Sequence, residues 1–100
     1  MEKNRFLLII CQTGADQEAV KTLEDAGVSG YTRFSGASGL GETGRHEGTA
    51  VWPGQNTLIL SAVPEDLVPE VVGRLKGLHN SRPGHKLALK VFVFSVQELL

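Results

Sequence analysis

The side chains best suited to chemistry lie in one polar segment, residues 79–86. It reads His-Asn-Ser-Arg-Pro-Gly-His-Lys, so Arg82 and Lys86 stand close in sequence to His79 and His85. An arginine guanidinium offers a planar fork of donors that matches phosphate or carboxylate, and a lysine adds a point charge. The segment therefore indicates contact with an anionic ligand. The alternative is a solvated turn.

Metal-ligating side chains are few and scattered. Cys11, His46, His79 and His85 form no close pair with the spacing typical of zinc ligands. Cys11 ends an apolar run, and a cysteine there is better explained as a small buried hydrophobe. Because it is the only cysteine, it also excludes an intramolecular disulfide. The spacing predicts no metal centre.

A glycine-rich stretch, residues 36–48, holds five glycines and has only Leu40 as a candidate core residue. The part from Gly39 to Gly44 fits the G-x-G-x-x-G spacing of dinucleotide sites, but that fingerprint needs a preceding strand and a following helix. The residues that follow here predict a strand instead. We therefore expect a mobile loop or a long hairpin tip.

Composition excludes several classes of protein. Ten basic and eleven acidic residues give a net charge of -1, which argues against a nucleic-acid or membrane-surface protein because both need a concentrated basic face. The apolar run near the N-terminus is too short for a secretory signal or a membrane span. The local motifs of zinc proteases, serine hydrolases and P-loop proteins are missing from the sequence. We expect a cytoplasmic protein that is not an enzyme.

Six elements in one domain, residues 1–100, must position these groups. Hydrophobic periodicity predicts strands at 5–11, 31–34, 56–63 and 87–96 and helices at 15–26 and from Asp66 to Leu78. We expect Thr13 or Asp16 to cap the first helix, Asp66 to cap the second, and Gly27 to end the first in a left-handed conformation. The order β-α-β-β-α-β predicts an α+β, ferredoxin-like domain, with a four-stranded antiparallel sheet and both helices on one face.

Both faces of the predicted sheet are apolar. An antiparallel sheet with one solvated face shows polar residues at every second position, but the strands at 5–11 and 87–96 are apolar on both sides from residues 6 to 11 and 91 to 94. Because a large apolar patch is rarely left exposed on a monomer, we expect the chain to associate with copies of itself. The alternative is that the glycine-rich loop covers the second face.

Two stretches resemble the sequence of a known family. The first is Lys90-Val-Phe-Val-Phe-Ser-Val-Gln-Glu98, which is similar to G-K-I-F-V-x-P-V-E, the last strand of the PII signalling proteins. The second is Gly48-Thr-Ala-Val-Trp-Pro-Gly-Gln-Asn-Thr57, which resembles G-T-x-V-W-P-G-x-N-S in short PII-like proteins. With the element order, the resemblance spans nearly the whole chain and identifies it as a short, divergent PII-like protein. It implies a homotrimer in nitrogen regulation that senses a small molecule between subunits.

The same resemblance implies one site residue and a signalling loop. Lys90 matches the lysine of the family's phosphate-binding G-D-G-K segment, whereas Leu87 and Leu89 replace its glycines, so backbone amides cannot approach a phosphate as closely. A small anionic metabolite or a nucleotide would bind at the subunit interface, and residues 36–48 would signal its presence to a target protein. We expect the ligand-binding residues to be Arg45, His46, Arg82, His85, Lys86 and Lys90, of which the resemblance itself supplies Lys90.

Two other functions remain open from the sequence. The chain also resembles the CutA divalent-cation tolerance proteins, which share the fold and the trimer, and on that interpretation His46, His79 and His85 converge across subunits on a metal. A structural assembly module without a ligand is the third hypothesis. The residues do not name the ligand in any of them.

Overall fold

A four-stranded antiparallel sheet with two helices makes up the described chain. The computed structural model describes residues 3–38, 55–84 and 86–100. Its elements are β1 (Asn4–Gln12), α1 (Asp16–Asp25), β2 (Thr32–Ala37), β3 (Asn56–Pro64), a 3-10 turn (Glu65–Leu67), α2 (Val68–His79) and β4 (Leu89–Ser95). The strand order is β2-β3-β1-β4, and all three neighbouring pairs are antiparallel. This order confirms the predicted ferredoxin-like α+β fold.

Strand β1 is central because its backbone pairs with β3 on one edge and with β4 on the other. Ile9 lies opposite Ile59 of β3 and opposite Val91 of β4. Strand β2 extends to Ala37, beyond the predicted end at Phe34, since Gly36 adopts a positive φ of 75° beside a register shift. A glycine permits such a bulge without steric cost.

Helix α1 buries Ala19, Val20 and Leu23, which recur at helical spacing. It ends as predicted: Gly27 has φ 93°, and the Val28 amide donates to the Leu23 carbonyl at 3.0 Å. The predicted N-terminal cap was wrong. Ala15 occupies the cap position, and no side chain in the described part of the chain bonds there.

The Asp16 carboxylate explains that missing cap. Its Oδ1 accepts from the Gly14 amide at 3.1 Å, and its Oδ2 lies 3.5 Å from the Arg33 guanidinium. The side chain thus turns back toward the preceding loop and β2, away from the free amides of the first helical turn.

Helix α2 begins later than Asp66, so that predicted cap was also wrong. Asp66 lies inside the 3-10 turn, and Leu67 precedes the first α-helical residue. The chain turns early because the Glu65 amide donates to the Lys3 carbonyl at 2.8 Å, directly after β3. Pro69 stands in the first helical turn, where its missing N–H costs little.

The core lies between the helices and one face of the sheet. Its largest fully buried side chains include Leu7, Ile9, Leu23, Ile59 and Leu75. Removing such surface from water stabilises the fold by about 1.5 to 3 kcal/mol per large aliphatic side chain. No helix among the described residues is long and apolar enough to span a membrane.

The other face of the sheet is apolar and partly open to solvent, although Ile10 within it is only 9% exposed. Phe34, Phe92 and Phe94 are 54%, 39% and 45% exposed. They project from the side opposite Ile9 because Phe34 pairs with Leu58, and Phe92 and Phe94 lie opposite Leu8 and Phe6. We call this surface the open face; its members are Phe6, Leu8, Ile10, Thr32, Phe34, Leu58, Leu60, Ala62, Lys90, Phe92 and Phe94.

The open face confirms that the sheet is apolar on both sides. Whether the glycine-rich loop covers it stays a prediction, since residues 39–54 lie outside the described residues.

Candidate functional site

The connection from α2 to β4 carries most of the predicted basic side chains. Its first residues close the C-terminus of α2: Asn80 donates from its amide and from Nδ2 to the Lys76 carbonyl, at 3.1 and 2.9 Å. Ser81 does the same toward the Leu78 carbonyl, with its amide at 3.1 Å and Oγ at 2.7 Å. Each otherwise unpaired helical carbonyl thus gains partners, which fixes the direction in which the loop leaves the helix.

The far end of the loop is held by His79. The Leu87 amide donates to the His79 carbonyl at 3.1 Å, and His79 Nδ1 lies 2.8 Å from the Leu87 carbonyl oxygen. A carbonyl can only accept, so Nδ1 is the protonated ring nitrogen. We call this pair of bonds the His79–Leu87 clasp. It explains why β4 begins at Leu89 and not at the predicted Leu87: Leu87 is bonded to α2 instead of β1.

The three described basic residues of the predicted site point in different directions. Arg82 Nη2 donates to Glu18 Oε1 of α1 at 2.7 Å, on the helix side of the sheet. Lys86 Nζ donates to Asn80 Oδ1 within the loop. Lys90 lies opposite Ile10 and is a member of the open face. Arg82 and Lys90 therefore lie on opposite sides of the sheet and do not form one cluster within a subunit.

The remaining predicted ligand contacts, Arg45, His46 and His85, lie outside the described residues, as does most of the predicted signalling loop 36–48. Their roles stay predictions. Of the three histidines proposed for a metal, the described one, His79, is engaged in the clasp. Over residues 3–38, 55–84 and 86–100 no three His, Cys, Asp or Glu side chains gather as a metal site would require.

A shallow groove beside the start of β2 was missed by the sequence analysis. It has a volume of about 450 Å³ and is lined by Phe6, Ser29, Gly30, Tyr31, Thr32, Leu60, Ser61 and Ala62. Ser61 Oγ donates to the Gly30 carbonyl at 2.6 Å and so fixes the chain before β2. The sequence signal was a lone serine within an apolar strand. Tyr31 contributes a phenol ring to the groove, and the backbone contributes polar groups. A planar aromatic ligand suits this combination.

Cys11 has the role that its sequence position predicts. It is fully buried, and its Sγ donates to the Thr57 carbonyl at 3.7 Å. Burial, helped by the nearby Asp16 carboxylate and opposed by Arg33, raises the pKa of the thiol from 9.0 to about 11. A thiol that holds its proton this firmly is a packing group and a poor nucleophile.

Comparison with known proteins decides the family. A family model described as nitrogen regulatory protein P-II matches residues 5–100. The chain belongs to the nitrogen regulatory protein P-II family. The resemblance found in the two sequence stretches is thereby confirmed, and it extends over the sheet and both helices of this P-II chain.

Solved structures agree with this assignment. CPII of Thiomonas intermedia K12, a nitrogen regulatory PII-like protein, was solved bound to ADP, AMP and bicarbonate; it is 26% identical, with a TM-score of 0.70 over 95% of this chain and 93% of that one. CPII bound to ADP and bicarbonate aligns at 29% identity and a TM-score of 0.64, covering 93% and 87%.

A third structure supports the fold alone. A functionally unknown protein from Pediococcus pentosaceus ATCC 25745 is 17% identical, with a TM-score of 0.71 over 100% of this chain and 98% of that one. No protein with a curated description matches the P-II chain in sequence.

Proposed function

We propose that this P-II protein is a trimeric regulator that binds an adenine nucleotide and a small anion such as bicarbonate between subunits. The observation that carries the proposal is the match to CPII, which is 29% identical and was solved with ADP and bicarbonate bound. The chain provides separate features for assembly and for anion contact, and each supports the proposal on its own.

The open face supports assembly with two further copies. Phe34, Phe92 and Phe94 remain between 39% and 54% exposed, and they lie beside half-buried Leu8 and Leu60 on one continuous surface. Such a patch is unfavourable in water, and a second copy offers a matching apolar surface. In this proposal the open faces pack together and the ligand lies at their rim.

Lys90 supports anion binding at that rim. It is the one cation that the strand registers place on the open face in the described chain, at the strand position opposite Ile10. An ammonium group near an apolar interface is less screened than one in bulk water, so it attracts a phosphate or bicarbonate more strongly. Lys86 is four residues earlier, at the end of the clasped loop.

The other predicted contacts have defined places in the proposal. Arg82 would have to leave Glu18 to reach a ligand, and Arg45, His46 and His85 would complete the anion site from outside the described residues. The shallow groove beside the start of β2, which Tyr31 lines, would receive the adenine ring. Loop 36–48 would change its order when the ligand binds and present that change to a target protein.

This regulator would act in the cytoplasm without enzyme activity. Adenine nucleotides, as found in CPII, are plentiful there, and a single buried thiol suits a reducing compartment.

A thermal melt with added ligands tests the proposal. A ligand at a hundred times its dissociation constant stabilises the folded state by about 2.7 kcal/mol, which raises Tm by about 10 °C in a domain of this size. We expect this rise with ADP or AMP and a further rise with bicarbonate. A rise in Tm with Zn²⁺ or Cu²⁺ but not with the nucleotides would favour the CutA-like metal function. An unchanged Tm with every ligand would favour the structural module.

Lys90→Ala is the matched variant for the anion site. Losing one charged contact should weaken ADP binding about tenfold, which calorimetric titration measures. Lys76→Ala, an exposed lysine on α2, removes the same charge elsewhere and should leave the affinity unchanged. Equal affinities in both variants would remove Lys90 from the site.

A further inference from the structure

The His79–Leu87 clasp holds the segment between the two lysines of the proposed anion site. We propose that His79 is a positioning residue for anion binding: through Leu87 it fixes the place of Lys86, while pairing with Ile10 holds Lys90 in the sheet. This inference rests on the proposed function, because it concerns how the same site is built.

The clasp fixes Leu87 at both of its backbone groups. The amide donates to the His79 carbonyl at 3.1 Å, and the carbonyl accepts from His79 Nδ1 at 2.8 Å. The next residue is held from the other side, since the Ala88 carbonyl accepts from the Gln12 amide at 3.2 Å. Residues 87 and 88 are therefore tied to α2 and to β1 at once, and the loop has little freedom at this point.

This arrangement changes which groups can contact an anion. The Leu87 amide already donates to His79, so it has no hydrogen left for a phosphate oxygen. Leu89 pairs with Cys11 in the sheet and is 5% exposed. We therefore assign recognition by this segment to the ammonium groups of Lys86 and Lys90.

Side-chain recognition requires a fixed backbone, because a lysine stem is flexible and loses conformational entropy when it binds. Lys86 adjoins Leu87 and also donates to Asn80 Oδ1, while Lys90 follows three residues after Leu87. A rigid attachment point for Lys86 reduces the conformational entropy that this part of the site must lose on binding. His79 supplies that rigidity from a half-buried position at the end of α2.

Two variants of His79 separate the hydrogen bond from the packing. His79→Phe keeps a ring of similar size but removes the Nδ1 donor. His79→Asn loses the ring but places an amide N–H near the position of Nδ1. We expect His79→Phe to weaken ADP binding about tenfold, as loss of a site-organising hydrogen bond would, and His79→Asn to recover affinity to within about threefold of the wild type.

Calorimetric titration with ADP and hydrogen exchange at the Leu87 amide provide the two readouts. Exchange should quicken in His79→Phe and slow again in His79→Asn, in parallel with affinity. Equal ADP affinity in the wild type and His79→Phe, or equal loss in both variants, would overturn the positioning role and leave the proposed function standing. A wild-type protein that binds neither ADP, AMP nor bicarbonate would overturn the proposed function, and the positioning role with it.

Discussion

The two faces of the sheet carry the same kinds of apolar residue, but only one face is covered by the helices. Alternate residues of β1 belong to opposite faces: Leu7 and Ile9 are fully buried under the helices, whereas Leu8 is half-buried on the open face. The contrast is weaker in the edge strand β4, where Val93 on the helix side is 44% exposed, close to the 39% and 45% of Phe92 and Phe94 on the open face. The difference lies in what covers the side chains, since both sets are apolar.

This difference separates the stability of the subunit from the stability of the assembly. Contacts beneath the helices are intramolecular, so their contribution does not depend on protein concentration. Contacts made by the open face with another copy do depend on it, because association is a mass-action equilibrium. Substitutions on the two faces should therefore behave differently when the protein is diluted.

Phe94→Glu should have the largest effect, because it places a charge on the apolar face. Burying an unpaired carboxylate between subunits is strongly unfavourable, so we expect light scattering to show monomers in place of trimers. The far-ultraviolet circular dichroism should stay close to that of the wild type. Gln17→Glu adds the same charge on exposed α1 and should remain trimeric; a monomeric wild type would refute the assembly outright.

Ile9→Ala and Leu8→Ala form a matched pair on one strand. Ile9→Ala should lower the free energy of unfolding by about 2 to 5 kcal/mol, since it leaves a cavity in a fully buried core. Urea unfolding at two protein concentrations measures it, and the loss should be the same at both. Leu8→Ala should lower the free energy of unfolding most at the higher protein concentration, where the wild type is assembled. The same concentration dependence in both variants would contradict the separation of the two faces.

Cys11 allows a pH test of the helix-covered face. Its pKa is raised to about 11 in the folded state, so an unfolded chain, whose thiol ionises near 9.0, binds fewer protons between these values. The contribution of this thiol to the free energy of unfolding should thus be fully present below pH 9. It should be lost as the pH rises to 11, by at most about 2 to 3 kcal/mol. Urea unfolding at pH 8 and pH 10.5 measures the loss. Cys11→Ala should lack this part of the pH dependence, and an unchanged slope in that variant would assign it to other groups.

Asp25→Asn should have the smallest effect, because it alters only the outer surface of the helix layer. The Asp25 carboxylate lies 3.4 Å from Lys21 Nζ, one turn away, and both side chains are mostly exposed. Such a pair contributes about 0.3 to 0.5 kcal/mol in water. Chemical unfolding with and without 0.5 M salt should show a difference that salt removes. A loss comparable to that of Ile9→Ala would mean that the outer surface matters as much as the core.

Much of the fold could be predicted from the sequence because its signals are local and periodic. The unbroken apolar runs of β1 and β4 indicated that both faces of the sheet are apolar, and Gly27 marked the end of α1. The helix starts were missed because they depend on distant partners. Asp16 turns toward Arg33, and the Glu65 amide bonds to Lys3, neither of which is adjacent in the sequence.

The candidate site was harder to predict than the fold for the same reason. Clustering in the sequence grouped Arg82 with Lys86, but Glu18 of α1 draws the arginine to the helix side. The sequence indicated His79 as a possible metal ligand on the CutA-like interpretation, yet its partner is a backbone carbonyl eight residues later. No side-chain pattern marks a backbone carbonyl as a partner.

The pairing of β1 with β4 has a consequence for how the chain folds. It joins Arg5 to Ser95, 90 residues apart, so the central strand completes its ladder only when nearly the whole sequence is available. Long-range pairing of this kind slows folding, because the closure entropy of a long loop is lost before the contacts form. During synthesis β1 cannot pair with β4 until residues 89–95 have left the ribosome. Its unpaired edge exposes the nascent chain to aggregation until then.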